Sequence, residues 1–302
     1  MNPIPADADP ECAVRSSPAG SNELASLTRR LSPLSPRGLY YALARGFMHS
    51  LGRLSEGIRI GHRHGFDSGA MLDYVYADRA QGFTPLGRLI DRAYLDAPGW
   101  AGIRNRGALL RATLTDELAD MAAAQRHPLV LADLACGGAR YVLDGLADAR
   151  DRGIAVDATL RDYRSENVET AAANAALRGI AATIERADAF DDAALAALPQ
   201  PDLVVVSGLH EIIPRDDIVV RHLHQIASLL PVGGRLVLTV QPEHPQLEFI
   251  ARVLTSHTGQ PWAMRLRPLA LTRRWLEEAG FIAGRPVFEE RGIFGVLVAR
   301  RA

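Results

Sequence analysis

From Pro128 onward the chain alternates short apolar runs with helix-periodic segments, and this alternation narrows the fold more than any other feature. The runs Leu129–Asp133, Ala158–Asp162, Ala182–Glu185, Leu203–Ser207, Arg235–Val240, Ile282–Glu289 and Phe294–Ala299 read as strands. Helical patterns fall between them at Ala139–Arg150, Glu166–Arg178, Ala193–Leu198, Asp216–Leu230, Gln246–Ser256 and Thr272–Ala279. Leu203–Val206 is apolar without interruption, as expected for a parallel strand with helices on both faces. Right-handed crossovers between such units give a doubly wound α/β sheet. The last two runs are separated only by "RGIF", so the sheet is expected to end in an antiparallel hairpin.

The chain before Pro128 behaves differently. Residues 1–22 are rich in Pro, Ala, Ser and Asp and lack periodicity, which reads as a disordered leader. Residues 23–126 show helices broken by Gly and Pro, at Glu23–Leu31, Pro36–Ile60, Gly69–Gln81, Pro85–Leu95 and about Asn105–Gln125. The last carries Leu109, Leu110, Leu114, Leu118 and Met121 at helical spacing. A zone this long is no linker, and its apolar faces need a surface to cover. The expected organisation is a leader (1–22), a helical cap over the mouth of the sheet (23–126) and an α/β domain (127–302).

Net charge is −1, which argues against nucleic-acid binding through bulk charge. The two cysteines, Cys12 and Cys136, form no disulfide framework and suit a reducing cytoplasm. Arginines and histidines interrupt every long apolar stretch, so no transmembrane span is expected. The first residues lack the basic and apolar regions of a secretory signal.

In open α/β sheets ligands bind at the carboxyl ends of the strands. After the first strand stands "LVLADLACGGAR", where Gly137 and Gly138 allow close backbone approach and a helix N-terminus follows. The outer glycines of a dinucleotide fingerprint are missing, so a pyrophosphate fits poorly. An adenosyl sulfonium needs only a flat slot and a carboxylate for the ribose diol. Asp162 ends the second strand, where it can take that role or cap the next helix. Asp188, after the third strand, can accept from an adenine amino group with Phe190 beside the ring, or cap the helix that follows.

"DLACGGAR", "RDYRSENVETAAANA", "RADAF" and "VVVSGLHEIIP" resemble the successive nucleotide-site motifs of class I S-adenosylmethionine-dependent methyltransferases. Within these the chain is similar to a little-characterised bacterial group of methyltransferases, through "LSEGIRIGHRHGFDSGAMLDYVY", "QPEHPQLEFIARVLTSH" and "RGIF". The resemblance runs from about Leu31 to the end. It implies a Rossmann-like sheet of seven strands with a terminal antiparallel hairpin, and S-adenosylmethionine as cofactor. It places Asp133, Ala135, Gly137, Gly138, Asp162, Tyr163, Asp188, Ala189 and Ser207 on the cofactor side. Ala135 stands where the superfamily has glycine, and it narrows the approach of the methionine moiety.

The acceptor side follows from position. A sulfonium methyl is already activated, so such an enzyme supplies in-line positioning, water exclusion and, for some acceptors, proton removal. His210 and Glu211, after the fourth strand, are the catalytic candidates; a histidine there is more often a wall of the pocket than a base. Glu243 and His244, after the fifth strand, and Arg63 and His64, in "GHRHGFDSG", are the substrate candidates. Arg104 or Arg106 can hold the methionine carboxylate. His62 and His64 lack the convergent partners a metal requires, so no metal is expected. Tyr74 and Tyr76 read as core aromatics, and Arg265 and Arg267 as surface residues. The expected reaction is methyl transfer to a small-molecule or lipid-like acceptor. Two alternatives stay open from sequence: a dinucleotide-dependent oxidoreductase, and a non-catalytic cofactor-binding scaffold.

Overall fold

The computed structural model describes residues 26–124 and 128–302. The leader expected over residues 1–22 lies outside the described residues. Among the described residues from Pro36 on, the helices before the sheet are α1 Pro36–His49, α2 Glu56–His64, α3 Gly69–Ala77, α4 Pro85–Leu95 and α5 Pro98–Ala124. The sheet region then runs β1 Leu129–Asp133, α6 Arg140–Asp151, β2 Val156–Asp162, α7 Ser165–Arg178, β3 Thr183–Arg186, α8 Asp192–Ala196, β4 Leu203–Val206, α9 Asp216–Leu229, β5 Arg235–Val240, α10 Leu247–Val253, α11 Leu269–Glu278, β6 Phe281–Ala283, β7 Val287–Phe288 and β8 Gly295–Arg301.

The strand order is β3-β2-β1-β4-β5-β8-β6, parallel from β3 through β5, with β8 antiparallel to β5. Order reverses between β1 and β4, which makes the carboxyl ends of those strands the switch point. Of the seven strand positions expected, the one read as a single run over Ile282–Glu289 is divided. β6 pairs with Phe281↔Arg301 and β7 with Phe288↔Gly295, both on the edge of β8 away from β5. Between them a Cβ on Gly284 would stand 2.8 Å from the Val298 carbonyl oxygen, and Pro286 has no N–H to donate. The terminal hairpin is present as β7 and β8.

β4 shows why the sheet reads as continuously apolar. Val204 and Val206 face a cluster with Val219, Leu223, Ile226, Trp275 and Leu276, while Leu203 and Val205 face one with Leu110, Leu114, Leu118, Val142 and Leu143. Both faces are dry.

Two helices depart most from the sequence expectation. The run Pro36–Ile60 breaks at Ser50, and a 3-10 turn, Leu51–Leu54, intervenes before Ser55 caps α2 by accepting from Ile58 N. Ser55 also donates to Asp91 at 2.5 Å; that buried carboxylate further accepts from Gly57 N, Gln81 N and the Tyr74 hydroxyl. Tyr74 is thus a core aromatic with a polar tip. The other difference is α5, which begins at Pro98 rather than near Asn105. Pro at the first turn costs no hydrogen bond. The glycines that discourage the helix in sequence permit close packing instead. A Cβ on Gly99, Gly102 or Gly107 would stand 3.0 Å from His244, 3.2 Å from Phe294 or 2.6 Å from Tyr76. Beyond them Leu110, Leu114, Leu118 and Met121 cover one face of the sheet. A third cluster joins α1–α4 to α10 and to Trp262, Met264, Ile293 and Phe294.

Candidate active site

The site begins at the turn after β1. Gly137 has φ +55°, a left-handed conformation that favours glycine, and no atom lies within 4 Å of where its Cβ would project. Ala139 has φ +57° at the start of α6. The turn is pinned from two sides. Gly137 N–H donates to Asp162 Oδ2 at 2.9 Å. Behind it Asp133 accepts from the Tyr141 hydroxyl at 2.7 Å and from Ala135 N at 3.3 Å. Burial pushes the Asp133 carboxyl up to about 7, against the pull of those two donors. Asp162 Oδ1 accepts from Arg164 N and from Asn167 Nδ2, each at 2.9 Å. The helical zone reaches this turn directly: Asp73 of α3 accepts from Arg140 Nε at 2.6 Å and packs on Gly138.

Above the turn lies a cavity of about 760 Å³. Its sheet side is made by Leu134, Ala135, Gly137, Asp162, Tyr163, Asp188, Ala189, Phe190, Ser207, Gly208 and Gln241. Its other side is aliphatic and aromatic, including Met48, Ile58, Leu72, Tyr94, Trp100, Ile103, Phe249, Trp262 and Phe294. Trp100 and Trp262 stack with ring centroids 5.9 Å apart.

At the junction of the two sides is a polar group set apart from water. Arg106, Glu211, Ser207 and Gln241 all line the cavity and are all at least nine-tenths buried. Arg106 Nε, Ser207 Oγ, Glu211 Oε2 and both amide atoms of Gln241 have no hydrogen-bond partner. Buried polar atoms left unpaired are costly, so their convergence marks a place built to receive polar atoms of a ligand. Arg106 lies over the Phe294 ring at 4.9 Å and beside Gly208. Glu211 holds its other oxygen on the Thr239 hydroxyl at 2.7 Å. Burial pushes the Glu211 carboxyl up, with the Arg106 guanidinium and the Thr239 hydroxyl pulling the other way.

Of the residues expected on the cofactor side, Ala135, Gly137, Asp162, Tyr163, Asp188, Ala189 and Ser207 line the cavity. Asp133 and Gly138 do not; they support the turn from behind. Glu211 and His244 also line it. His210 is turned the other way. Its Nε2 meets His222 Nδ1 at 2.9 Å in the interior, and burial drives its pKa well below the usual imidazole value, with His222 and Arg267 adding to the effect. The expectation of a base at His210 therefore needs correction, because the ring does not reach the cavity. Arg63 and His64 sit exposed at the end of α2 and Glu243 is exposed on its loop; none lines the cavity. The "GHRHGFDSG" segment reaches it through Asp67, Ser68 and Gly69 instead. Arg265 and Arg267 are interior, both paired with Asp216. Arg104 bonds the Leu95 carbonyl, which leaves Arg106 as the one of the two that lines the cavity. His62 bonds the Met48 carbonyl, and among the described residues no cluster of metal-ligating side chains occurs.

One pair escapes sequence reasoning altogether. His257 Nδ1 meets Asp67 Oδ2 at 2.8 Å on the cavity rim, from residues 190 positions apart.

Comparison with known proteins decides the family. Residues 8–301 match the family described as "Putative methyltransferase". The chain belongs to that family. It is 42% identical over 273 residues to "Uncharacterized protein YnbC" of Escherichia coli (strain K12), an alignment covering 89% of this chain and 46% of YnbC. The chain thus spans about half the length of that relative. A possible exported protein from Bordetella parapertussis shares the fold with TM-score 0.58 at 22% identity, over 98% of this chain and 99% of that one. The S-adenosylmethionine-dependent methyltransferase SibL does so with TM-score 0.51 at 17% identity, over 88% of this chain and 77% of that one. The family is thus one described as methyltransferases, and the fold is the one this chain shares with SibL. No helix among the described residues is long and apolar enough to cross a membrane.

Proposed function

We propose that this methyltransferase moves a methyl group from S-adenosylmethionine to an apolar small-molecule or lipid-like acceptor in the cytoplasm. The observation that carries this reading is one cavity with acidic and other polar groups on the sheet side, an apolar wall opposite, and unpaired buried polar atoms where the two meet. The sheet side fits the cofactor. Asp162 Oδ2, which accepts only from Gly137 N–H, keeps acceptor capacity for a ribose hydroxyl, and Asp188 and Phe190 flank the position of the base. Arg106 offers a charge-assisted contact to the methionine carboxylate. When bound, the cofactor supplies an electrophilic methyl on a sulfonium leaving group.

The chain's own residues do the rest. The helical zone acts as the cap, and its Trp100, with Trp262 and Phe294 of the sheet region, excludes water and holds the acceptor in line. Glu211 Oε2, unpaired and buried at the cavity wall, would take up the proton that the acceptor atom gives up. A carboxylate raised by burial is a stronger base than a solvated one. Asp133 and Asn167 position the turn and Asp162.

The test is titration calorimetry with S-adenosylhomocysteine and, separately, NADH, followed by transfer of labelled methyl into organic-soluble extracts. Binding of S-adenosylhomocysteine alone and label in the apolar fraction is the expected result. Binding of NADH alone would replace the reading with an oxidoreductase.

A further inference from the structure

The helical zone carries an apolar surface that the fold leaves uncovered. On α1, Leu39, Leu43 and Phe47 recur at intervals of four and are 54%, 66% and 43% exposed, with Tyr40 beside them. Leu51 in the following turn and Phe83, Leu86 and Leu89 at α4 are exposed as well. A Cβ on Gly87 of α4 would stand 2.4 Å from the Leu54 carbonyl oxygen, so the 51–54 turn and α4 are in contact and the two groups adjoin. Phe47 of α1 and Leu89 of α4 both also line the cavity. The exposed apolar surface therefore runs without a break into the apolar side of the cavity.

The segments that carry it bear charge of one sign, although Glu248 and Glu56 stand at its border, paired with Arg37 and Arg59. From Arg29 to Ser55 the sequence contains no Asp or Glu, and it contains Arg29, Arg30, Arg37, Arg45 and Arg53. From Arg79 to Ile90 there is again no acid, with Arg79 and Arg88 present. Arg37 is paired with Glu248, whereas Arg53 and Arg88 are exposed. Exposed apolar side chains ringed by arginines are the chemistry of a helix that lies in the plane of an anionic lipid surface.

We infer that α1, the 51–54 turn and the start of α4 dock on an anionic lipid bilayer, so that a membrane-resident amphiphile enters the cavity between Phe47 and Leu89. This deepens the proposed function by naming the acceptor's source, and it rests on that reading for the use of the cavity. Docking itself needs no turnover. The apolar stripe enters the headgroup boundary, the arginines meet lipid phosphates, and the mouth opens toward the acyl chains rather than toward water.

The experiment is vesicle flotation of the full chain with phosphatidylcholine alone and with a mixture of phosphatidylcholine and phosphatidylglycerol, at low and high salt. Leu39→Glu and Leu43→Glu are the variants, since both positions are exposed and neither lines the cavity. The expected result is binding to the mixed vesicles only, weakened by salt, and reduced at least about tenfold in each variant, as loss of a leucine from an apolar phase implies. Thermal unfolding and S-adenosylhomocysteine affinity of the variants should match the parent. Failure of the cofactor titration would strike the proposed function, whereas failure of flotation with intact titration strikes this inference alone. Binding that persists in both variants would overturn it. So would an absence of vesicle binding together with a self-association, seen in sedimentation, that the variants abolish; the patch would then be an interface between copies.

Discussion

Gly137 N–H donates to Asp162 Oδ2 over 2.9 Å, so the turn after β1 and the end of β2 form one rigid corner. Removing the carboxylate is expected to loosen the turn and, on the proposed reading, to take away an acceptor for the ribose. Asp162→Ala is expected to weaken S-adenosylhomocysteine binding about tenfold to a hundredfold, from hydrogen bonds to a charged group worth about 1.5–3 kcal/mol. Calorimetry on the folded variant checks it, and unchanged affinity would remove Asp162 from the cofactor side.

Gly137→Val places a branched side chain at φ +55° and in the open space of the cavity. Such a residue resists the left-handed region. Cofactor binding should be lost while the far-ultraviolet circular dichroism spectrum stays as in the parent. Full affinity in this variant would move the cofactor away from the turn.

Arg106→Lys keeps the charge but not the planar fork or the stacking on Phe294. The expected outcome is a KM for S-adenosylmethionine raised about tenfold or more, from the loss of a charge-assisted contact. An acceptor KM that rises instead would reassign the guanidinium to the acceptor.

Arg63→Ala tests the opposite expectation. The side chain is exposed and off the cavity, so stability should shift by no more than about 0.5 kcal/mol and both KM values should hold. A selective fall in kcat would show that the end of α2 moves inward during turnover.

His244 supplies a pH signature. Burial pushes its imidazole down to about 4, and its Nδ1 accepts from Gln246 N at 3.0 Å. The unfolded chain takes up that proton near the ordinary value of about 6.5, so between about 6.5 and 4 the unfolded state binds more protons and stability falls as pH falls. His244→Asn keeps an acceptor for Gln246 and does not titrate. Relative to the parent, the variant should therefore gain up to about 1.4 kcal/mol per pH unit on acidification across that window. Chemical denaturation at pH 7, 6 and 5 checks it; parallel curves would mean His244 is not buried in solution.

The strand positions and the glycine turn at the cavity are legible because they rest on local rules: apolar runs for parallel strands, glycines for close approach, acids at strand ends. What escaped depends on partners far along the chain. His210 and His222 meet across twelve positions with the ring turned inward, which spacing cannot reveal. Asp67 and His257 meet across 190. Arg265 and Arg267 looked like surface residues because only the fold brings Asp216 between them. α5 was shortened because Gly and Pro are read as breakers, whereas here the glycines serve contact with His244, Phe294 and Tyr76.

α5 belongs to two neighbourhoods at once. Its first turns wall the cavity through Gly99, Trp100, Ile103 and Arg106, and its later turns roof the sheet through Leu110, Leu114 and Leu118. At 27 residues it is a rod of about 40 Å. The helices before the sheet are consequently not a cassette that can be swapped between relatives at residue 126. A graft cut there would carry away the lining of one face of the sheet together with the acceptor wall. Chimeras that exchange acceptor preference should be spliced before Pro98, so that the rod stays with the sheet it covers.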